Sequence, residues 1–250
     1  GCDAQGDWTA LDLGGDDIFA FIIDDAREIV YAGTNNRGVL RCDLSTRCDA
    51  LNDWTVTFSA LNPPAGTYVD NYESLAIDTT NNILYAGGGN YGYIYHCDLA
   101  AGCGISDWAT AYDFPAITTT GDMVLDAAHN VLYTGIDGGI VYRCDIASGC
   151  DSSGSWAVSY DSPRSYVDSM ALDTTHGVLY AGMYTSYIYR CDTSTNCDAA
   201  GDWTVSSTAM SNHVYTIAFD STHNVLYAGG SSNGIIYRCD TTTNCDANGD

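Results

Sequence analysis

Eleven cysteines form the clearest chemical pattern in this sequence of 250 residues. Ten of them fall into pairs six positions apart, a spacing that suits a disulfide across a short loop and lacks the two-residue spacing of a zinc knuckle. We therefore predict five disulfides rather than metal thiolates, and with them an extracellular or cell-surface location. The predicted pairs are Cys42–Cys48, Cys97–Cys103, Cys144–Cys150, Cys191–Cys197 and Cys239–Cys245.

Cys2 is the eleventh cysteine, and it has no partner six positions away. It holds the same place in its repeat as Cys245 holds in the last repeat, so it could compete for Cys239. The alternatives are a free thiol or a disulfide to another chain, as an odd cysteine in a secreted protein suggests.

Acidic side chains dominate the charge, with 32 Asp and Glu against 8 Lys and Arg and a net charge of −24. Such a field repels nucleic acids and anionic membrane surfaces, so we predict neither as a partner. The longest apolar run, residues 18–23, is too short to cross a bilayer, and we predict no membrane insertion.

Oxygen-bearing side chains alternate in the loops that follow the second cysteine of each pair. Asp198 and Asp202 form an outer pair, and the last loop carries Asp246, Asn248 and Asp250. This spacing suits Ca²⁺, although no distal bidentate Glu follows. An Asp that caps its own turn produces the same pattern, so Ca²⁺ is the alternative to purely structural aspartates. We predict no other cofactor.

Two carboxylates, Glu73 and Asp168, lie at corresponding places in different repeats, where the copies differ most. Across a shared channel they could form the acid pair that glycoside hydrolysis requires. Tyrosines in the nearby irregular connections could present flat faces to a saccharide, or they could simply be packing residues. These tyrosines are Tyr68, Tyr72, Tyr91, Tyr166 and Tyr184.

These residues belong to a fivefold repeat of about 48 residues. Each unit contains four short runs rich in Val, Ile, Leu, Tyr and Thr, separated by Gly, Asn, Asp and Ser, which is typical of strands and turns. Four strands in a unit of this length predict a propeller blade. We therefore predict an all-β, five-bladed β-propeller of four-stranded antiparallel blades. Five tryptophans mark the units: Trp8, Trp54, Trp108, Trp156 and Trp203.

The repeats predict a single domain over residues 1–250. Residues 1–8 duplicate the segment at 196–203, and we expect residues 1–13 to supply the fourth strand of the last blade and so close the ring. The alternative is one segment of a longer array, in which this strand completes a neighbouring unit. The predicted repeats cover approximately residues 7–52, 53–106, 107–154, 155–201 and 202–250.

Residues 30–41 read VYAGTNNRGVLR, and residues 197–203 read CDAAGDW. Both strings resemble the repeat of Asp-box propellers of the bacterial neuraminidase type, a family that includes sialidases, xyloglucanases and sortilin-like receptors. The Asp, Gly and Trp of the box are retained, but the Gly is one place late, the Thr is lost and a cysteine loop is inserted. The resemblance implies a propeller in which the box is a folding element on the face away from any catalytic centre.

The uniformity of the five copies leaves little asymmetry for a catalytic centre. We therefore predict a non-enzymatic extracellular module with a structural or interaction role, acting as a repeating subunit of a surface layer or filament. Its expected partners are other copies of itself or surface proteins. The alternatives are a lectin-like propeller that binds glycans and, third, a glycoside hydrolase.

Overall fold

The computed structural model describes residues 10–58, 72–88, 92–114, 118–162, 166–208, 210, 213–230, 234–243 and 245–246. Within them, nineteen β-strands form five antiparallel sheets, arranged as the blades of a β-propeller. This confirms the predicted all-β, five-bladed fold. Helical structure in the same residues is limited to three-residue 3₁₀ turns, so nothing described there could span a membrane as a helix.

Each blade is a meander in which strands that follow one another in sequence are neighbours in the sheet. Blade 1 comprises β1 Ile18–Asp24, β2 Ile29–Thr34, β3 Val39–Asp43 and β4 Trp54–Phe58. Blade 2 comprises β5 Tyr72–Asp78, β6 Ile83–Gly88, β7 Tyr93–Asp98 and β8 Trp108–Asp113. Blade 3 comprises β9 Thr120–Asp126, β10 Val131–Ile136, β11 Ile140–Asp145 and β12 Trp156–Asp161.

Blade 4 has the same plan, and blade 5 has three strands within the described residues. The predicted fourth strand of blade 5, from residues 1–13, lies mostly outside those residues. Residues 10–13 of this segment are described, and Leu11 and Leu13 among them pack with Ala32 and Leu40 of blade 1. The strands of blade 4 are β13 Val167–Asp173, β14 Val178–Met183, β15 Ile188–Asp192 and β16 Trp203–Ser207, and those of blade 5 are β17 Val214–Asp220, β18 Val225–Gly230 and β19 Ile236–Asp240.

The turn after the first strand of each blade is organised by one aspartate. In blade 3, Asp126 accepts backbone N–H groups from Ala128 and His129, and its second oxygen lies 2.7 Å from His129 Nδ1. Asn130 then adopts a φ of +57°, which Asn tolerates better than most residues. The recurring histidines therefore help to fix the conformation of these turns. The same arrangement occurs with Asp24 and Arg27, Asp78 and Asn81, Asp173 and His176, and Asp220 and His223.

All five predicted disulfides are present in the structure, and each closes the short loop after the third strand of its blade. Cys2 lies outside the described residues. In each disulfide loop, the aspartate that follows the first cysteine caps a turn; Asp192, for example, accepts the N–H of Ser194. The loop is thereby fixed by a covalent bond and by a local hydrogen bond.

The disulfide loops also supply acceptors to the preceding blade. The hydroxyl of Tyr133, in blade 3, donates to the carbonyl of Asn196 in the loop of blade 4, at 3.2 Å. Arg41 of blade 1 donates to the carbonyl of Gly102 in the loop of blade 2, at 2.7 Å. Burial raises the pKa of Tyr133 to about 12, so this hydroxyl remains a donor at any ordinary pH. Disulfide loops are therefore part of the contact between blades.

Close approach between blades explains the glycine near the end of the second strand. A Cβ atom at Gly135 would lie 2.3 Å from Val167 Cγ1, and one at Gly182 would lie 2.6 Å from Val214 Cγ1. Both valines are the first residues of the next blade. Glycine at this place thus lets consecutive blades meet near the channel without a steric clash.

In the outermost strand of a blade, a serine forms hydrogen bonds with the tryptophan and the disulfide loop of the next blade. Ser159 Oγ donates to the carbonyl of Cys197 and accepts from Trp203 Nε1 at 3.0 Å. In blade 2 the corresponding residue is Ala111, and the buried Trp156 Nε1 of blade 3 has no hydrogen-bond partner. A buried N–H without a partner is unfavourable, and Trp108 Nε1 of blade 2 is in the same state, so both of these interfaces lack the hydrogen bond that Ser159 accepts.

We expect Ser159→Ala to lower the free energy of unfolding by about 1–3 kcal/mol, because it removes both hydrogen bonds and leaves the Trp203 N–H buried and unpaired. Ala111→Ser should have the opposite sign, raising stability by up to about 1 kcal/mol, because it offers Trp156 an acceptor. Urea unfolding of the oxidised protein measures both changes. Ser152→Ala, which removes an exposed hydroxyl, is the control, and a Ser159→Ala variant as stable as this control would contradict the assignment.

Candidate functional site

The copies differ most where three connections meet beside blades 3, 4 and 5. Tyr166 immediately precedes β13 and forms an isolated bridge with Asp137, which follows β10. Tyr184 follows β14, and its N–H donates to the carbonyl of Tyr166 at 3.1 Å. His213 precedes β17, and its Nδ1 lies 2.5 Å from the carbonyl oxygen of Tyr184. Two backbone contacts and the imidazole of His213 thus hold residues from three blades at one place.

The aromatic rings at this place form a continuous row. Ring centroids are 5.1 Å apart for Tyr166 and Tyr184, 3.5 Å for Tyr184 and His213, and 5.5 Å for His213 and Tyr215. The three tyrosines are exposed. A row of solvent-facing rings offers an apolar surface to a ligand with flat, partly apolar faces.

Asp168 supplies the charge beside this row. It is half-buried, and its Oδ2 atom has no hydrogen-bond partner. Burial raises the pKa of Asp168 to about 6; nearby His213 lowers it, and the negative charge of Asp137 raises it. Burial also raises the pKa of Asp137. The site therefore has a carboxyl group that can gain a proton in mildly acidic solution, and one of its oxygens is shielded from solvent without a hydrogen-bond partner.

The structure brings together some of the residues predicted for ligand binding. Tyr166, Asp168 and Tyr184 share this cluster, which we call the Tyr166 cluster together with His213 and Tyr215. Glu73 lies in β5 of blade 2, and blade 3 lies between that blade and Asp168. The corresponding residue of blade 3 is Gly121, where a Cβ atom would lie 2.0 Å from the Val167 carbonyl oxygen. Tyr68, Tyr91 and the side chain of Tyr72 lie outside the described residues.

Asp202, one of the aspartates considered for Ca²⁺, makes hydrogen bonds within its own loop. Asp202 Oδ2 accepts the backbone N–H groups of Asp198 and Ala199, both at 3.1 Å. The residues that the structure describes contain no group of three or more His, Cys, Asp or Glu side chains placed to hold a metal. Asn248 and Asp250 lie outside them, so a Ca²⁺ site that includes Asp246 stays a prediction.

Asp122 is a notable residue that sequence reasoning did not select. It lies in β9 and accepts the N–H of Met123 at 2.8 Å and, across the blade boundary, the N–H of Met170 at 2.7 Å. At the next boundary, Ser169 Oγ accepts the N–H of Ile217 at 2.9 Å. The available signal was that Asp122 stands where other repeats have small or hydroxyl residues: Ala20, Ser74, Ser169 and Thr216.

His213 was also missed. Three of the five histidines recur at the first turn of a blade, whereas His96 and His213 do not. The sequence signal for His213 was therefore that it occurs at a place where the other repeats have no histidine. Its contact with Tyr184 depends on how two connections approach each other, which the repeat pattern does not specify.

No protein-family model matches this chain, and no curated protein was found to match it. The similarity to Asp-box propellers therefore depends on the residues quoted above.

Asp122 predicts a pH dependence of stability. Burial raises its pKa from 3.8 to about 6, so the folded state holds the proton more tightly than the unfolded chain. Its contribution to stability is complete below pH 3.8 and is lost as the pH rises through about 6. We expect this residue alone to make the protein about 1 kcal/mol more stable at pH 5 than at pH 7.

Urea unfolding of Asp122→Asn at both pH values tests this, because Asn keeps an acceptor oxygen and does not titrate. The gain in stability between pH 7 and pH 5 should be smaller in this variant than in the wild type. Asp25→Asn removes one exposed negative charge and is the matched control. An unchanged gain in Asp122→Asn would show that other groups cause the pH dependence.

Proposed function

We propose that this protein is an extracellular propeller with a structural or interaction role, and that it acts as a repeating subunit of a surface layer or filament. The observation that carries the proposal is the use of the repeated side chains. The buried tyrosines, the outer serines and the disulfide loops hold one blade to the next. Residues that recur among the repeats are thus used to hold the blades together.

The five disulfides support the extracellular part of the proposal, because reducing compartments do not maintain such bonds. Each disulfide links residues six positions apart, so it constrains only a short loop. These loops provide the carbonyl groups that the preceding blade binds. Their oxidation therefore favours firm contacts between blades in a protein that works outside the cell.

Antibody labelling of intact cells of the source organism, followed by electron microscopy, tests this proposal. We expect label on extracellular layers or filaments, because disulfide-bonded blades are suited to that environment. Mass spectrometry of the native protein without reduction should find all five disulfides. Label confined to the cytosol, with these cysteines reduced, would contradict an extracellular role.

A glycan-binding propeller is the second candidate, and the Tyr166 cluster favours it. Its exposed aromatic rings offer a stacking surface to a sugar, and the half-buried Asp168 lies beside them. The site is also asymmetric, because it uses residues that the other blades lack at the same places. The partner in this case would be a saccharide of the cell surface or its surroundings.

A glycan array followed by calorimetry tests the second candidate. Tyr184→Ala should weaken binding of any saccharide found by about 10-fold or more, because the central ring of the row is lost. Phe19→Ala, which removes an exposed ring from blade 1, should leave that affinity unchanged. If the array finds no saccharide, the glycan-binding candidate fails.

An activity assay with a glycoside substrate tests the glycosidase alternative. Hydrolysis of an aryl glycoside by the purified protein, lost in both Glu73→Gln and Asp168→Asn, would establish an enzyme in place of the role proposed here.

A further inference from the structure

The last blade exposes residues that every other blade buries. Ile236 in β19 is 76% exposed, whereas the corresponding residues of blades 1–4 are at most 5% exposed. Tyr227 in β18 is 39% exposed, whereas its four counterparts are at most 1% exposed. The buried counterparts are Val39, Ile94, Val141 and Ile188 for the first position and Tyr31, Tyr85, Tyr133 and Tyr180 for the second.

The opposite side of the first blade shows the same anomaly. Phe21 in β1 is 62% exposed, whereas the corresponding residues of blades 2–5 are at most 8% exposed. Cys48 is only half-buried, although the second cysteine of every other disulfide is buried. The buried counterparts of Phe21 are Leu75, Met123, Met170 and Ile217.

Contacts between the innermost strands explain these exposures. The pairs β1 and β5, β5 and β9, β9 and β13, and β13 and β17 pack against each other. Among the described residues, no packing of comparable extent joins β17 to β1. We call Phe21, Ile23 and the Cys42–Cys48 loop the leading face, and Thr216, Tyr227 and Ile236 the trailing face.

The two faces have complementary chemistry. Each of the four boundaries between consecutive blades is an example of the contact that these faces would make. In each copy, side chains of the trailing type in one blade cover side chains of the leading type in the next. Thr216 occupies the place of Ser169, which accepts the N–H of Ile217 from the following blade. Phe21 occupies the place of Ile217, so its N–H is the matching donor for Thr216.

A second pair of groups matches in the same way. Tyr227 occupies the place of Tyr133, which donates to the carbonyl of Asn196 just before the second cysteine of the next loop. On the leading face, the residue just before Cys48 is Arg47, which has the same left-handed backbone conformation as Asn196, with φ of 69° and 65°. The carbonyl of Arg47 is therefore the expected acceptor for Tyr227.

We propose that the trailing face of one copy of this chain packs on the leading face of a second copy, reproducing the contact between consecutive blades. This inference rests on the proposed role as a repeating subunit and specifies the surface that would join the subunits. The contact is heterologous, so each added copy leaves one face of each kind free and the assembly can grow as an open chain.

Sedimentation velocity of the oxidised chain of 250 residues, over a wide range of concentrations, tests the inference. All samples carry Cys2→Ser, so that no disulfide through Cys2 can join the chains. We expect species larger than a dimer as concentration rises, and more of them as salt screens the repulsion between chains of net charge −24. Phe21→Asp and Ile236→Asp should each weaken association by at least about 30-fold, because each buries a charge at the centre of the contact.

Mixing the two variants provides the sharpest test. Phe21→Asp retains its trailing face and Ile236→Asp retains its leading face, so the mixture should form 1:1 dimers and nothing larger. Ile105→Asp, which changes an exposed apolar residue in the loop of blade 2, should assemble like the parent. Both replaced residues are already exposed, so folding should be preserved, and circular dichroism checks this.

Three results would overturn the inference. A parent chain that stays monomeric at every concentration would show that the two faces close on each other or are covered within one chain. Assembly that neither face variant weakens would show that another surface joins the copies, and would leave the proposed function standing. Two face variants that form no heterodimer when mixed would exclude a heterologous contact between these faces.

Discussion

A blade of this protein has two apolar faces, and a four-stranded sheet cannot bury both of them by itself. The stability of the fold therefore depends on contacts between blades, which bury the tyrosines of the second strands and the isoleucines or valines of the third. Some polar groups in these contacts are paired across the boundary: Tyr133, Ser159 and Ser206 all donate to carbonyls of the next disulfide loop. Loss of one boundary would expose both apolar surface and unpaired polar groups, so the interfaces favour cooperative behaviour.

Much of this architecture was accessible from the sequence, because the signals are local. Alternating apolar residues and turn residues predicted the strands, and cysteines six positions apart predicted the disulfides. The contacts between blades were less accessible, because their partners are far apart in sequence. Tyr133 and Asn196 are 63 residues apart, and no local pattern indicates which carbonyl a buried tyrosine will reach. The closing strand predicted from residues 1–13 stays a prediction.

The candidate ligand site was predicted only in part, for a related reason. Tyr166, Asp168 and Tyr184 were selected because they depart from the repeat, and the structure brings them together. His213 and Asp137 complete the site through the meeting of three irregular connections, whose paths the repeat does not determine. Asp122 was missed because an aspartate in a strand of an acidic protein attracts little notice. Its importance comes from accepting an N–H of the neighbouring blade.

The repeat of blade 4 carries both halves of the joint between blades: Ser206 donates on one face, and on the other its disulfide loop accepts hydrogen bonds from blade 3. A unit copied within the gene would therefore bring its own means of attachment and pack on its parent without any compensating change elsewhere. The glycine before each close approach is copied with it, so the steric requirement is met automatically. Because each unit brings its own contacts, duplication of a unit can change the number of blades. Repeated duplication of this kind also explains why the units are nearly identical.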